Sequence, residues 1–107
     1  MAGLTFKSSD GITWTAATTA AQFGKHSGQT SAVLNNNMWV IGGLNDNLDP
    51  TNEVWSSTDG LNWTQVTTNT TFTARCSHAG MFFNNKLWVI AGQTGPGTDT
   101  NDVWSSQ

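Results

Sequence analysis

The sequence repeats itself with a period of 49 residues. Three pairs of tryptophans show this spacing: Trp14 and Trp63, Trp39 and Trp88, and Trp55 and Trp104. Sliding residues 1–58 onto residues 50–107 without a gap gives 20 identical pairs out of 58. A fixed period near 50 residues is typical of propellers and solenoids. We therefore interpret the chain as one repetitive segment, residues 1–107, with copies at about 9–57 and 58–106.

Turn residues divide each copy into strands. Asn35-Asn36 and Asn84-Asn85 stand between apolar runs, and asparagine tolerates the positive φ angles of a tight hairpin. Asp10-Gly11 and Asp59-Gly60 predict a second kind of hairpin. Four consecutive antiparallel strands per period describe one propeller blade, so the predicted fold class is all-β. The predicted strands are Thr5–Ser8, Thr13–Ala17, Ser31–Leu34, Met38–Gly43, Glu53–Ser57, Asn62–Val66, Gly80–Phe83, Leu87–Gly92 and Val103–Ser106.

These segments resemble bacterial kelch repeats. The run from Asn84 to Gly92, followed by a loop and Asn101-Asp102-Val103-Trp104, is similar to the kelch pattern. The paired glycine of that pattern is present as Gly42-Gly43 and becomes Ala91-Gly92 in the second copy. The resemblance implies a four-stranded blade in each copy and a role in binding other proteins. Residues 8–14 also resemble the Asp-box of sialidase-type propellers with one residue missing, a motif that forms a structural turn.

Two blades are fewer than the 4 to 8 that close a propeller. Naming the strands of a blade A to D from the channel outwards, the chain supplies C-D, then A-B-C-D, then A-B-C. Either the chain is a piece of a longer kelch protein with no function alone, or several copies form a ring. We favour a homo-oligomer in which the N-terminal D strand of one chain completes its neighbour's last sheet. Three chains give six blades and four give eight, and we prefer the trimer.

The N-terminal segment is an imperfect copy of a C strand. Residues 1–8 align with the two C strands of the repeat, and Phe6 stands where these strands carry Trp55 and Trp104. In the proposed ring, this segment and the last strand of a neighbouring chain compete for the same D strand. We therefore expect it to be displaced or only partly paired.

Composition excludes several classes of function. The chain has four Lys or Arg, seven Asp or Glu and a net charge of −3, which argues against nucleic acid and anionic membranes as partners. Cys76 is the single cysteine, so an internal disulfide and a multi-thiolate metal site are both excluded. No apolar run approaches the roughly 20 residues of a membrane-spanning helix.

Two groups of residues are candidates for binding, and we predict no metal site and no cofactor. His26, Arg75 and His78 precede the first strands of the two blades, near the predicted channel mouth. Structural roles are the simpler interpretation for all three, with Arg75 pairing a carboxylate across a blade boundary. The second group lies in the loops after the B strands, residues 44–50 and 93–99, which differ most between the copies. Its members are Asn45, Asp46, Asn47 and Thr94.

An enzyme is not expected, and the sequence nominates no catalytic residue. The chain has no tyrosine, which a galactose-oxidase-like copper site and a sialidase both require, and only one arginine. No phosphate-binding loop, Ser-His-Asp spacing or zinc signature is present. The sequence therefore predicts a non-enzymatic binding or structural scaffold with a protein partner. A carbohydrate-binding propeller with a glycan ligand is the alternative, although the fixed spacing of the tryptophans favours packing roles.

Overall fold

The computed structural model describes residues 3–24, 26–67 and 72–106. It contains nine strands, each of which overlaps one of the nine predicted segments. They are β1 (Gly3–Lys7), β2 (Thr15–Ala21), β3 (Thr30–Leu34), β4 (Asn37–Leu44), β5 (Pro50–Ser57), β6 (Thr64–Thr67), β7 (Ala79–Phe83), β8 (Lys86–Gly95) and β9 (Thr98–Ser105). No helix in this described part of the chain is long and apolar enough to span a membrane.

The strands form three antiparallel sheets in sequence order. The N-terminal ribbon is β1-β2, blade 1 is β3-β4-β5-β6, and blade 2 is β7-β8-β9. This is the predicted order of C-D, A-B-C-D and A-B-C strands, and the all-β fold is confirmed. How many blades close together, and by which chains, stays a prediction.

Asparagine pairs make the inner hairpins, as the sequence predicts. Asn35 and Asn36 have φ angles of 55° and 63°, and Asn84 and Asn85 have φ angles of 55° and 65°. Two consecutive residues with positive φ make the type I′ turn, whose twist matches that of the flanking strands. The register Leu34↔Asn37 confirms a two-residue loop in the first copy.

The Asp-Gly hairpins are longer loops held by their own side chains. In the second copy, the Ser57 hydroxyl accepts hydrogen bonds from the N–H groups of Asp59 and Gly60. Hydrogen bonds from the backbone N–H groups of Asn62 and Leu61 to the Asp59 carboxylate lower the pKa of Asp59 to about 2. The same bonds recur around Ser8 and Asp10 in the first copy. These loops are self-contained turns, as the Asp-box resemblance implies.

Residues 3–7 of the N-terminal segment form β1, which is paired with β2. β1 pairs with β2 through Thr5↔Thr18, Phe6↔Ala16 and Lys7↔Thr15, with irregularities on either side of Thr5. The expected displacement concerns the proposed ring, in which the last strand of a neighbouring chain competes for β2, and it stays a prediction. Pairing with β1 satisfies backbone groups that are otherwise left to solvent.

Two apolar clusters lie between the sheets. The first joins Ala21 of β2 to Val40 and Trp63 of blade 1, with Phe23 and Trp55 packed against it. The second joins Ile41 of blade 1 to Phe72 and Val89, with Val54 packed against it. Phe72 and Val89 follow Phe23 and Val40 by 49 residues, so two positions of the repeat contribute to both clusters. The core is therefore divided among the faces between successive blades.

Gly43 marks the closest approach of chain segments within blade 1. It has a φ of 100°, and a Cβ atom on it lies 2.8 Å from both the Cβ of Gln29 and the carbonyl oxygen of Ser27. We expect Gly43→Ala to reduce the free energy of unfolding by about 2 to 4 kcal/mol, because it adds overpacking to left-handed backbone strain. Urea unfolding followed by tryptophan fluorescence measures the change.

Gly11→Ala is the matched control for this substitution. Gly11 has a φ of 78°, but a Cβ atom on it meets nothing within 4 Å. The expected cost is backbone strain alone, about 1 kcal/mol. Equal losses in the two variants would show that the close approach at Gly43 does not limit stability.

Candidate functional site

Arg75 is the most completely bonded side chain of the predicted site. Its side chain is 0% exposed, and its two Nη atoms donate to the two carboxylate oxygens of Asp102 at 2.7 and 2.8 Å. Nε donates to the carbonyl of Thr73, and Nη1 also donates to the carbonyl of Ala91. The guanidinium therefore ties the segment before β7 to strands β8 and β9 of the same blade.

Asp102 is held ionised by its neighbours. The Arg75 guanidinium is the largest cause of a pKa far below the usual range for a carboxyl, and the Trp104 indole and Thr100 hydroxyl add hydrogen bonds. The predicted structural pairing of Arg75 is present, but the carboxylate belongs to its own blade and not to the neighbouring one. Strand C is nearer because the entry to strand A crosses over the end of its own sheet.

The first copy contains a weaker version of the same arrangement. His26 aligns with Arg75, and Glu53 aligns with Asp102. The Trp55 indole donates to Glu53 at 2.9 Å, as the Trp104 indole donates to Asp102. His26 Nε2 lies 3.8 Å from Glu53 Oε1, beyond hydrogen-bond distance, and its side chain is 2% exposed. The imidazole packs edge-on against Phe23 instead.

His78 lies between the two blades. Its Nε2 is 2.9 Å from the hydroxyl of Thr30, at the start of strand A of blade 1. Burial, opposed by a hydrogen bond with the backbone of Ile41 and assisted by the charge of Arg75, lowers the pKa of His78. A neutral imidazole is therefore favoured at this contact.

The loop after β4 is held by internal hydrogen bonds and presents its tip to solvent. The Asn45 side chain accepts hydrogen bonds from the N–H groups of Asn47 and Asp49, which fixes residues 45–49 as a compact turn. Asp46 and Asn47 are exposed, and Leu48, at a φ of 61°, is 72% exposed. Asn45, Asp46 and Asn47 are predicted site residues, whereas Leu48 was not predicted, although a leucine where the second copy has Gly97 is a visible signal.

Thr94 is not on a loop. Strand β8 extends to Gly95 and β9 begins at Thr98, so the predicted seven-residue loop shrinks to a turn at Pro96 and Gly97. Gly97 has a φ of 71°, which allows this tight connection. The loop placement of Thr94 is therefore wrong.

The predicted residues lie at one end of the blades without forming one cluster. Ser27 pairs with Leu44, and Cys76 pairs with Gln93, so the segments that contain His26, Arg75 and His78 lie beside the ends of the B strands. The side chains of these three residues are buried, whereas Asp46 and Asn47 are exposed. Their role in binding stays a prediction. No group of three His, Cys, Asp or Glu side chains that could hold a metal ion occurs among the residues that the structure describes.

Two partners of the buried basic side chains were missed from the sequence. Glu53 and Asp102 each face the candidate residue of their own copy, and both are exactly one period apart. The 49-residue alignment places a carboxylate at both positions, and this shared charge was the available signal.

We name the two hydrogen bonds from Arg75 to Asp102 the Arg75 fork, and we expect it to be the largest single contribution to the stability of blade 2. We expect Arg75→Met to reduce the free energy of unfolding by about 2 to 3 kcal/mol, since it removes charge-assisted hydrogen bonds of similar worth. Arg75→Lys should recover part of this loss, because a lysine keeps the charge but cannot make the planar fork. Thermal and urea unfolding measure both variants.

His26→Met serves as the control at the equivalent position of the first copy. No fork is present there, so a loss below about 1 kcal/mol is expected. A loss equal to that of Arg75→Met would contradict the assignment of the stability to the fork.

Comparison with known families finds a Kelch motif in the second half of the chain. Residues 74–105 match the family model for the Kelch motif, a range that begins just before Arg75 and covers β7, β8 and β9. No curated protein matches the chain. The resemblance to kelch-like repeats is confirmed, and residues 74–105 carry a Kelch motif.

Proposed function

We propose that the chain is a non-enzymatic binding scaffold whose contact surface is the loop after β4. The Kelch motif and the consecutive antiparallel sheets support a protein-binding fold of the β-propeller type. The observation that supports this surface is the pre-formed turn of residues 45–49, which holds an exposed leucine at its tip. A rigid loop loses little conformational entropy when it binds.

The chemistry of the loop favours a protein partner with an apolar pocket and basic surroundings. Leu48 offers an apolar side chain, and two acidic residues, Asp46 and Asp49, flank it on the exposed surface. The net charge of −3 adds a long-range preference for a basic surface. The corresponding turn of blade 2 has Gly97 in place of the leucine, so blade 1 is the binding blade.

Carbohydrate binding is the second candidate, and the exposure of Trp14 supports it. This indole is 59% exposed, whereas Trp63, which follows it by 49 residues, is 7% exposed and packs edge-on against Phe23. Tryptophan rings offer flat apolar faces of the kind that sugars stack on. The buried position of Trp63 favours a packing role for this place in the repeat, so the protein-binding function ranks first.

Selection from a random peptide display library tests the proposed surface. We expect the immobilised chain to enrich peptides in which basic residues flank an apolar residue. Leu48→Gly should weaken the binding of the selected peptides at least tenfold, because it removes the apolar anchor while keeping a residue suited to positive φ. Fluorescence polarisation with labelled peptides measures the affinity.

Ile12→Gly is the matched control, since Ile12 is 83% exposed on a different loop. It should leave peptide affinity unchanged. Equal binding by wild type and Leu48→Gly would overturn the assignment of the loop. Binding on a glycan array that Trp14→Ala abolishes, with no enriched peptide, would establish the second candidate instead.

We further propose that the scaffold self-associates by strand donation, with a trimer preferred over a tetramer. The register of β1 on β2 supports this. Thr5↔Thr18, Phe6↔Ala16 and Lys7↔Thr15 follow the same scheme, 49 residues earlier, as Val54↔Thr67, Trp55↔Gln65 and Ser56↔Thr64. β2 is therefore a D strand, and β9 of another chain fits it in the register that β1 uses.

Phe6→Pro tests strand donation in the full chain. A proline in β1 removes a ladder hydrogen bond and should release β2 for a neighbouring β9. We expect light scattering to show more of a species of about 35 kDa, three 11.5 kDa chains in a closed ring, than the wild type shows at the same concentration. Phe6→Val, which keeps a strand-forming residue, should behave as the wild type. A Phe6→Pro variant that is folded and remains at 11.5 kDa at high concentration would contradict strand donation.

A further inference from the structure

Blade 2 binds blade 1 through a short segment that we name entry segment 2, residues 75–78. Three backbone hydrogen bonds carry the contact. Arg75 N–H donates to the carbonyl of Thr51, Gly43 N–H donates to the carbonyl of Arg75, and Ser77 N–H donates to the carbonyl of Gly28. These bonds are 3.0, 2.8 and 2.8 Å long. They cross from one blade to the next and fix their relative position.

The surface of blade 1 that receives this segment lacks side chains at two positions, Gly42 and Gly28. A Cβ atom on Gly42 lies 2.9 Å from Cε1 of His78 and 3.0 Å from the carbonyl oxygen of Arg75. A Cβ atom on Gly28 lies 3.3 Å from the Cβ of Cys76. The absence of side chains at these two glycines lets the backbone of entry segment 2 approach closely. We name residues 28, 42, 43, 44, 50 and 51 docking surface 1.

Blade 2 presents the equivalent surface, on which no segment lies among the residues that the structure describes. A shallow depression of about 430 Å³ is lined by Ser77, Ala91, Gly92, Gln93, Asp99 and Thr100. Each of these six residues follows one residue of docking surface 1 by 49 positions. We name them docking surface 2. In blade 1 the residues Gly42, Gly43 and Thr51 are buried, whereas their counterparts Ala91, Gly92 and Thr100 are partly exposed.

The chain also carries a second segment of the matching kind. Entry segment 1, residues 26–29, aligns with residues 75–78 and makes the same backbone bonds to its own blade, here between Ser27 and Leu44. Ser27 and Gln29 are exposed, whereas their counterparts Cys76 and His78 are buried by docking. The outer face of entry segment 1 is therefore available to another molecule.

We propose that docking surface 2 binds entry segment 1 of a second copy of this chain. The hydrogen bonds of this contact are obtained from those between blades 1 and 2 by replacing each residue with its counterpart 49 positions away. His26 N–H of the second copy donates to the carbonyl of Thr100, Gly92 N–H donates to the carbonyl of His26, and Gly28 N–H donates to the carbonyl of Ser77. This contact is heterologous and leads from chain to chain in one direction. It rests on the self-association proposed above and names the residues that guide it.

Strand donation and docking use the same two chains. In the intact pair of blades, β6 completes blade 1, and the chain then continues into entry segment 2 on docking surface 1. A β2 strand donated to β9 continues in the same way into entry segment 1, which then reaches docking surface 2. An apolar contact is expected at the same boundary. Val103 is 58% exposed, and it is the counterpart of Val54, which packs against the second core cluster.

Ala91 makes docking surface 2 less smooth than docking surface 1. In docking surface 1, a Cβ atom on Gly42 lies 3.0 Å from a backbone oxygen of the docked segment. The Cβ of Ala91 occupies the equivalent place in docking surface 2. The segment of the second copy must therefore move by a few tenths of an ångström. Replacement of His78 by Gln29 in the incoming segment relieves the other close approach, since a glutamine side chain can bend away. Ala91→Gly should remove the remaining obstacle.

Cross-linking between two single-cysteine chains tests the proposal. The first carries Ser27→Cys and the second Ser77→Cys, both with Cys76→Ser, the residue that the first copy has at this position. The equivalent atoms, the Cβ of Cys76 and a Cβ on Gly28, are 3.3 Å apart, close to disulfide geometry. Each chain has one thiol, so no disulfide can form within a chain. Under mild oxidation, the mixed disulfide should form at least fivefold faster than either homodisulfide.

Two further variants sharpen the result. Phe6→Pro in both chains should increase the yield, because it removes the competing β1 strand, and Ala91→Gly in the Ser77→Cys chain should increase it again. A chain with Ser9→Cys, an exposed serine in the first Asp-Gly loop, replaces the Ser27→Cys chain as the control for random collision. It should give no preference for the mixed disulfide.

The outcomes separate this contact from the other proposals. A mixed disulfide no faster than the Ser9→Cys control, in the Phe6→Pro background as well, would overturn docking. If light scattering of that background still shows oligomers, strand donation stands and the docking contact alone is wrong. The peptide-binding test of the loop after β4 does not depend on either result.

Discussion

Close backbone contact between successive blades is the constraint on which the structure depends. Entry segment 2 donates and accepts hydrogen bonds across the boundary at glycines 28 and 43, while the side chain at Gly42 must be absent or very small. Buried backbone groups must be paired, so a blade that loses this contact exposes polar groups as well as apolar surface. The apolar clusters on each side then add the non-directional part of the stability.

The Arg75 fork connects the parts of blade 2 to one another. Arg75 presents its backbone to blade 1 and its side chain to Asp102 in its own blade. Arg75 therefore connects the boundary between the two blades to strand β9, in the outer part of blade 2. The first copy has a histidine and a glutamate in these places, and its entry segment is correspondingly less tightly bonded. The two copies share a fold but differ in how firmly that segment is held.

Much of the fold was predictable because its signals are local and occur twice. Asparagine pairs with positive φ, Asp-Gly loops and alternating apolar residues placed all nine strands in the correct order. The candidate site was harder to predict from the sequence. The sequence suggested a carboxylate for Arg75 in the neighbouring blade, because sequence spacing does not reveal how the entry segment crosses its own sheet. Thr94 was placed on a loop because a Pro-Gly pair cannot be distinguished from a longer irregular segment by composition alone.

In the ring that we propose, β1 is an internal competitor of assembly, because it pairs with the strand that a neighbouring β9 would use. β1 is tied to β2 by a short loop, residues 8–14, so its effective concentration at that strand is on the order of millimolar. A neighbouring β9 must compete against this value before any contact between chains contributes. In the proposed ring, assembly is cooperative and begins above a threshold of chain concentration, below which β1 keeps the edge of β2 covered. Under that proposal, the imperfect first strand sets the concentration at which chains associate.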